Sequence, residues 1–84
     1  MTYAIRFTKQ AAKDVKQLTP KLRQKLKEIL RNRVAVDPYV GKPLVGELKG
    51  YYSVRLSYRD RIVYSIHDIE LVVVVIRART HYGE

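Results

Sequence analysis

The sequence predicts an α+β fold of order β-α-α-β-β-β, in which a helical hairpin packs on one face of a mainly antiparallel sheet. Three observations predict it. Two helix-start signals, Thr8 and Thr19-Pro20, each precede a stretch with apolar residues at helical spacing. The C-terminal half, Tyr51 to Arg79, divides into three segments whose side chains alternate faces with period two. Those segments gather four arginines, Arg55, Arg61, Arg77 and Arg79, on the face opposite the apolar one.

Tyr3 to Phe7 (YAIRF) alternates and forms the first strand. Thr8 then stands at the N-cap of a helix over Lys9 to Leu18, with Ala11, Val15 and Leu18 on one stripe. Thr19 is the second N-cap, and Pro20 fits the first helical position because its missing N–H would have no partner there. The second helix carries Leu22, Leu26, Ile29 and Leu30 inward, and Lys21, Arg23, Lys25, Lys27 and Arg31 on a solvated outer side. Asp37 to Gly46 (DPYVGKPLVG) holds two of the three prolines and two of the four glycines and is expected to be a long loop.

Three strands follow. Tyr52, Val54 and Leu56 share the apolar parity with Ile62, Tyr64 and Ile66, against Tyr51, Ser53, Arg55 and Ser57. A turn at Tyr58-Arg59-Asp60 pairs Ser57 with Arg61, Arg55 with Val63, and His67 with Tyr51. A three-residue loop at Asp68-Ile69-Glu70 pairs His67 with Leu71 and Arg61 with Arg77, and turns Val72, Val74, Ile76 and Ala78 toward the helices. A two-residue turn would exchange the faces of the last strand, and LVVVVI, apolar on both parities, does not decide. Such a run aggregates at an exposed edge, so the last strand is expected to be central or covered.

With 84 residues the chain is expected to be one domain, 1–84. Lys and Arg number 17 against 8 Asp and Glu, a net charge of +9 that suits phosphate or an acidic protein partner. The absence of cysteine removes any disulfide framework or thiolate metal site and fits a cytoplasmic location. The longest apolar run, Leu71 to Ile76, is far short of the ~20 residues of a spanning helix, and MTYAIRFTKQ lacks a signal-peptide apolar core, so no membrane partner is expected. There is no metal-ligand constellation, Gly-rich phosphate loop or G-x-S-x-G elbow, and no cofactor is expected.

Arginine suits bidentate phosphate recognition, and near a scissile phosphate it stabilises charge developing in the transition state. Tyr51, Tyr82 and His67 supply rings on which bases can stack. His81 titrates near neutrality as acid or base, and surrounding arginines push its pKa down toward the neutral form. The bland alternatives are a snorkelling surface arginine and an ordinary polar residue near a terminus. Metal-free RNA cleavage by the substrate's own 2′-hydroxyl needs a base, cations for the phosphorane and an acid for the leaving 5′-oxygen. An arginine face beside a His-Tyr tail holds groups of all three types.

The segments LKGYYSVRLSYRDRIVYSI and VVVVIRARTHY resemble the RelE/ParE superfamily, the toxins of bacterial and archaeal type II toxin–antitoxin modules. The resemblance covers nearly the whole chain, and L-K-G-Y-Y-x-x-R-x-x-x-x-x-R-I-V-Y, Leu48 to Tyr64, is its most specific part. It implies a RelE-like fold similar to the microbial ribonucleases. It also implies an mRNA endoribonuclease that cuts in the ribosomal A site without metal or cofactor, inhibiting translation. The partners implied are the ribosome, its mRNA and a cognate acidic antitoxin that blocks the toxin in a hetero-oligomer.

Residue by residue, Arg55 and Arg61 match the family's phosphate-contacting arginines, and Arg79 and Tyr82 its tail residues for catalysis and stacking. His81-Tyr82 is similar to the C-terminal pair of the YoeB-like subgroup, where the histidine is an acid/base. Alignment on the strand arginines puts Arg79 and Thr80 there instead, so the pair fits with a two-residue extension. The subgroup's glutamate base falls at Lys42, with Glu47 nearby and out of register. The general base therefore stays open among His81, Lys49 and Glu47. The expected catalytic set is Arg61, Arg55, Arg79, His81, Tyr82 and Lys49, and Arg77, Tyr51, Arg59 and Lys42 are expected to bind nucleic acid. Two rivals share the fold or the charge: a ParE-like DNA gyrase inhibitor without chemistry, for which the tail would be dispensable, and a basic module that binds nucleic acid and cuts nothing.

Overall fold

The computed structural model describes residues 2–78. Strand β1 (Ala4–Phe7) leads into α1 (Lys9–Gln17) and α2 (Pro20–Ile29), which continues as a π-helical turn over Leu30–Val34. A 3₁₀ turn (Pro38–Val40), β2 (Lys42–Pro43) and a second 3₁₀ turn (Gly46–Leu48) precede β3 (Tyr51–Arg55), β4 (Arg61–His67) and β5 (Val72–Arg77). The sheet order is β1-β5-β4-β3-β2, with β1 parallel to β5 and the other pairs antiparallel.

Both expected caps are formed. Thr8 Oγ1 accepts from the Ala11 N–H at 3.1 Å and Thr19 Oγ1 from the Leu22 N–H at 3.2 Å. Arg23 Nη2 donates to the Leu18 carbonyl at 3.0 Å, fastening the short turn between the helices. Ala11, Leu18, Leu26, Ile29, Leu30 and Val34 then pack on Val54, Leu56, Ile62, Tyr64, Val73 and Val75.

The segment Asp37 to Gly46 is more than the loop its prolines suggest. Asp37 accepts from the Tyr39 N–H at 3.2 Å and starts the 3₁₀ turn, after which Lys42 pairs with Ser53 and Pro43 with Tyr52. This fifth strand lies at the sheet edge, where a proline's missing N–H costs nothing. Gly41 makes the pairing possible. A Cβ there would collide with the Tyr64 hydroxyl and sit 3.0 Å from the Ser53 carbonyl oxygen. That hydroxyl is held in place by donating to the Pro38 carbonyl at 2.6 Å, and burial pushes its pKa up to about 12.

The first hairpin differs from the expected register by two residues. Arg55 lies opposite Arg61, Ser53 opposite Val63 and Tyr51 opposite Ser65, in place of Ser57–Arg61, Arg55–Val63 and Tyr51–His67. The loop runs from Leu56 to Asp60 because Leu56 is drawn fully into the core and Ser57 turns the chain. Ser57 Oγ accepts from the Arg59 and Asp60 N–H groups at 3.3 and 3.1 Å. A two-residue shift keeps every side chain on its face.

The second turn has four residues, Asp68 to Leu71, and Leu71 takes a left-handed φ of 55°. His67 therefore pairs with Val72, not Leu71, and the faces of the last strand exchange. Val73 and Val75 enter the core, whereas Val72, Val74 and Ile76 are half-buried, contrary to the expected orientation. The turn is fixed by groups distant in sequence. The Asp68 carboxylate accepts from the Tyr3 hydroxyl at 2.6 Å and from the Tyr39 hydroxyl, which holds it below its ordinary pKa. A bulge follows: Tyr64 pairs with Val75 and Val63 with Arg77, so Ile76 has no opposite residue and the alternation resets. Ala78 is consequently buried, as expected, and β5 lies inside the sheet between β1 and β4.

Gly41→Ala is expected to lower the unfolding free energy by about 1–3 kcal/mol, because a buried hydroxyl and a backbone carbonyl must both give way. Urea denaturation followed by circular dichroism measures this. An unchanged midpoint would show that β2 adapts freely.

Candidate functional site

Directly opposed residues of paired strands share a face, so the registers lay out the side of the sheet away from the helices in rows. The outermost pair is Arg55–Arg61. The next row is Lys42, Ser53, Val63 and Arg77. Beyond it come Tyr51, Ser65, Val74 and Arg6, and then His67, Val72 and Ala4.

Arg55 and Arg61 are opposed directly rather than diagonally, with Cβ atoms ~5 Å apart as for any such pair. Arg55 is exposed. Arg61 is half-buried, and its Nη1 donates to Ser53 Oγ at 3.5 Å. Among the described residues the only ion pair is Arg77–Asp14, so neither member of the pair has a carboxylate partner there. Two facing guanidinium groups destabilise the hairpin by ~0.2–1 kcal/mol, and an oxyanion bridging them reverses the sign.

Arg77 departs from its expected place on this face. It lies across from Val63, not Arg61, and its Nε donates to Asp14 Oδ2 on α1 at 2.8 Å. The same oxygen accepts from the Ala78 N–H at 3.1 Å, and Gln10 Nε2 donates to Oδ1 at 3.0 Å. Burial pushes the Asp14 carboxyl up, but the bonds from Arg77, Ala78 and Gln10 outweigh it and hold the pKa below the ordinary value. Sequence reasoning missed Asp14. The available signal was an acidic residue three positions after Ala11 and four before Leu18, on the apolar stripe of α1.

Of the other expected residues, Lys42 and Tyr51 share the open face with the arginine pair. Arg59 is exposed near the hairpin tip, and Lys49 and Glu47 are exposed outside the strands. Arg79, His81 and Tyr82 lie outside the described residues. His67 is exposed, with Nε2 2.9 Å from Ser65 Oγ. The face also holds Arg6, which only the parallel pairing of β1 with β5 places there. Among the described residues no three His, Asp or Glu side chains converge as a metal site.

Residues 7–82 match the family model of the YoeB-like toxins of bacterial type II toxin–antitoxin systems. The chain belongs to that family. It is 36% identical over 78 residues to the toxin RelG of Mycobacterium tuberculosis, covering 92% of this chain and 88% of that one. Its fold is similar to a chain of the RelBE2 toxin–antitoxin complex of the same organism, with a TM-score of 0.85 and 33% identity over 95% of this chain and 99% of that one. A chain of the YoeB–YefM complex of Staphylococcus aureus superposes with a TM-score of 0.80 at 27% identity, covering 98% of this chain and 100% of that one. The toxin-family resemblance and the α+β fold read from the residues are both borne out.

Two outcomes follow for this toxin. Arg55→Ala leaves the melting temperature unchanged or raises it, and abolishes most of the stabilisation that inorganic phosphate gives the wild type; equal stabilisation of both proteins by phosphate would refute the bridged pair. Asp14→Asn lowers stability by about 2 kcal/mol at neutral pH. Because the folded carboxyl has the lower pKa, its contribution is full above about pH 4 and is lost as pH falls through the folded value. The wild type therefore loses that increment on acidification and the variant does not, as denaturation midpoints across the acid range will show.

Proposed function

We propose that this toxin is a ribosome-dependent mRNA endoribonuclease that stops translation until a cognate acidic antitoxin covers it. The observation that carries the reading is the Arg55–Arg61 pair, two facing cations on an open sheet face with no carboxylate partner among the described residues. Such a pair binds a phosphodiester and gains strength as the phosphorane accumulates charge.

In the proposed reaction the substrate's 2′-oxygen attacks the adjacent phosphorus as a base removes its proton. The P–O5′ bond breaks, and an acid protonates the leaving 5′-oxygen. The products are a 2′,3′-cyclic phosphate and a 5′-hydroxyl. Arg61, buttressed by Ser53, and Arg55 hold the non-bridging oxygens. Lys42, one row in, adds positive charge beside them. Tyr51 offers a ring to a neighbouring base. The tail residues Arg79, His81 and Tyr82 are assigned proton transfer, charge stabilisation and stacking from their chemistry and the family pattern, and His81, Lys49 and Glu47 are the candidate bases.

The net charge of +9 suits both an RNA-walled decoding site and an acidic antitoxin. Solved relatives occur as toxin–antitoxin complexes, which supports a hetero-oligomeric resting state. No helix among the described residues is long and apolar enough to cross a membrane, consistent with action at cytoplasmic ribosomes.

On translating ribosomes the wild type should cut mRNA at positions phased to codons, and Arg61→Ala should cut about 10²-fold more slowly with an unchanged circular dichroism spectrum. Mapping of mRNA 5′ ends after induction checks both. Undiminished cleavage by the variant refutes the role of Arg61, and intact mRNA with inhibited DNA supercoiling supports the gyrase reading instead.

A further inference from the structure

The far end of the open face holds a second feature that the arginine pair does not use. Val72 and Val74 are half-buried on the side away from the helices, flanked by Arg6, His67 and Glu70 around a shallow depression of about 460 Å³. Two valines on a solvent-facing floor add little to the core. The four-residue turn and the bulge put them there while Val73 and Val75 fill the interior. Arg6 is exposed and is not in an ion pair with any described residue, Glu70 included.

We propose that this end of the face is a nucleotide subsite, which binds a single-stranded stretch of the substrate RNA away from the scissile phosphate. The inference rests on the ribonuclease reading and extends its footprint. An apolar floor bordered by a guanidinium and an imidazole matches an unstacked base with its phosphate. A base inside a duplex is stacked and does not present its ring face to such a floor. Glu70 sets the polarity of the subsite. Its carboxylate repels phosphate, so the phosphate falls on the Arg6 side and a base edge with a donor amine on the Glu70 side. Arg6 lies two strands across and four residues along from Arg61, a separation of ~17 Å from strand spacing and rise. One phosphate cannot reach both, and Ser65 on β4 and Val74 on β5 lie between them in the register.

The test is equilibrium binding of a fluorescein-labelled, 2′-O-methylated decaribonucleotide, which is not cut, beside ribosome-dependent cleavage by the same proteins. Arg6→Ala should weaken decamer binding about fivefold and reduce the slope of log affinity against log salt by about 1. Arg6→Glu should weaken it further, and Arg6→Lys should restore most of it. A dinucleotide that fills only the arginine pair should bind all variants equally, and a duplex of the same sequence should be little affected. The subsite is overturned if Arg6→Ala and Arg6→Glu bind the decamer like the wild type, if duplex binding falls as much as single-strand binding, or if the wild type does not bind the decamer. Arg6-dependent binding by a wild type that cuts no mRNA on ribosomes sinks the ribonuclease reading and leaves the subsite standing.

Discussion

The Asp14 carboxylate ties the helical layer to the sheet at the point where β5 ends, and the electrostatics of the open face depend on it. Three donors converge on it: the Arg77 guanidinium, the Ala78 N–H and the Gln10 amide. Without it, a half-buried cation and a buried N–H beyond the bulge would both lack this partner, in a region where unpaired polar groups are costly. Gathering these bonds also removes one arginine from the set of cations facing solvent. The net charge of +9 hides this division, because Arg77 is paired with Asp14 while Arg55 and Arg61 have no carboxylate partner among the described residues.

Much of this architecture was legible in the sequence because it is local. Thr8 and Thr19 announce helix starts through bonds made within four residues, Pro20 does so through its fixed φ and missing N–H, and the stripes from Ala11 to Leu30 identify the buried side. The alternation from Tyr51 to Ile66 separates the arginine face from the core whatever the loop length, as long as errors come in twos. The first hairpin shows this: Ser57 moved the register by two, and Arg55 and Arg61 stayed on the predicted face. The pair, the most informative part of the site, thus survived a wrong turn.

The last strand failed because what fixes it is not local. LVVVVI is apolar on both parities, so pattern is silent. The slip is set by Asp68 bonding to Tyr3 and Tyr39, residues 65 and 29 positions away. The short β2 was hidden for a related reason. Pro43 argues against a strand by propensity, and only an edge position beside Ser53, with Gly41 allowing the approach to Tyr64, makes it tolerable. Arg6 was invisible as a site residue until the parallel β1–β5 pairing joined the two ends of the chain. Each miss is a long-range constraint overriding a local preference.

The Arg55–Arg61 pair is a destabilising feature that this small protein keeps. Folding alone would favour a carboxylate opposite Arg61, as it favours Asp14 beside Arg77. The chain has acidic residues close by: Asp60 precedes Arg61 directly, yet its carboxylate accepts from the Ser57 hydroxyl at 3.2 Å and forms no ion pair with a described residue. The hairpin therefore holds its carboxylate within the turn and leaves its two cations facing each other. An arrangement that costs stability in the free protein, and is relieved when a phosphate arrives, converts that cost into affinity for the ligand. The contrast between Arg77, paired with Asp14 where the fold needs it, and Arg55 with Arg61, which have no carboxylate partner among the described residues, is the electrostatic ground on which a phosphodiester is proposed for this face.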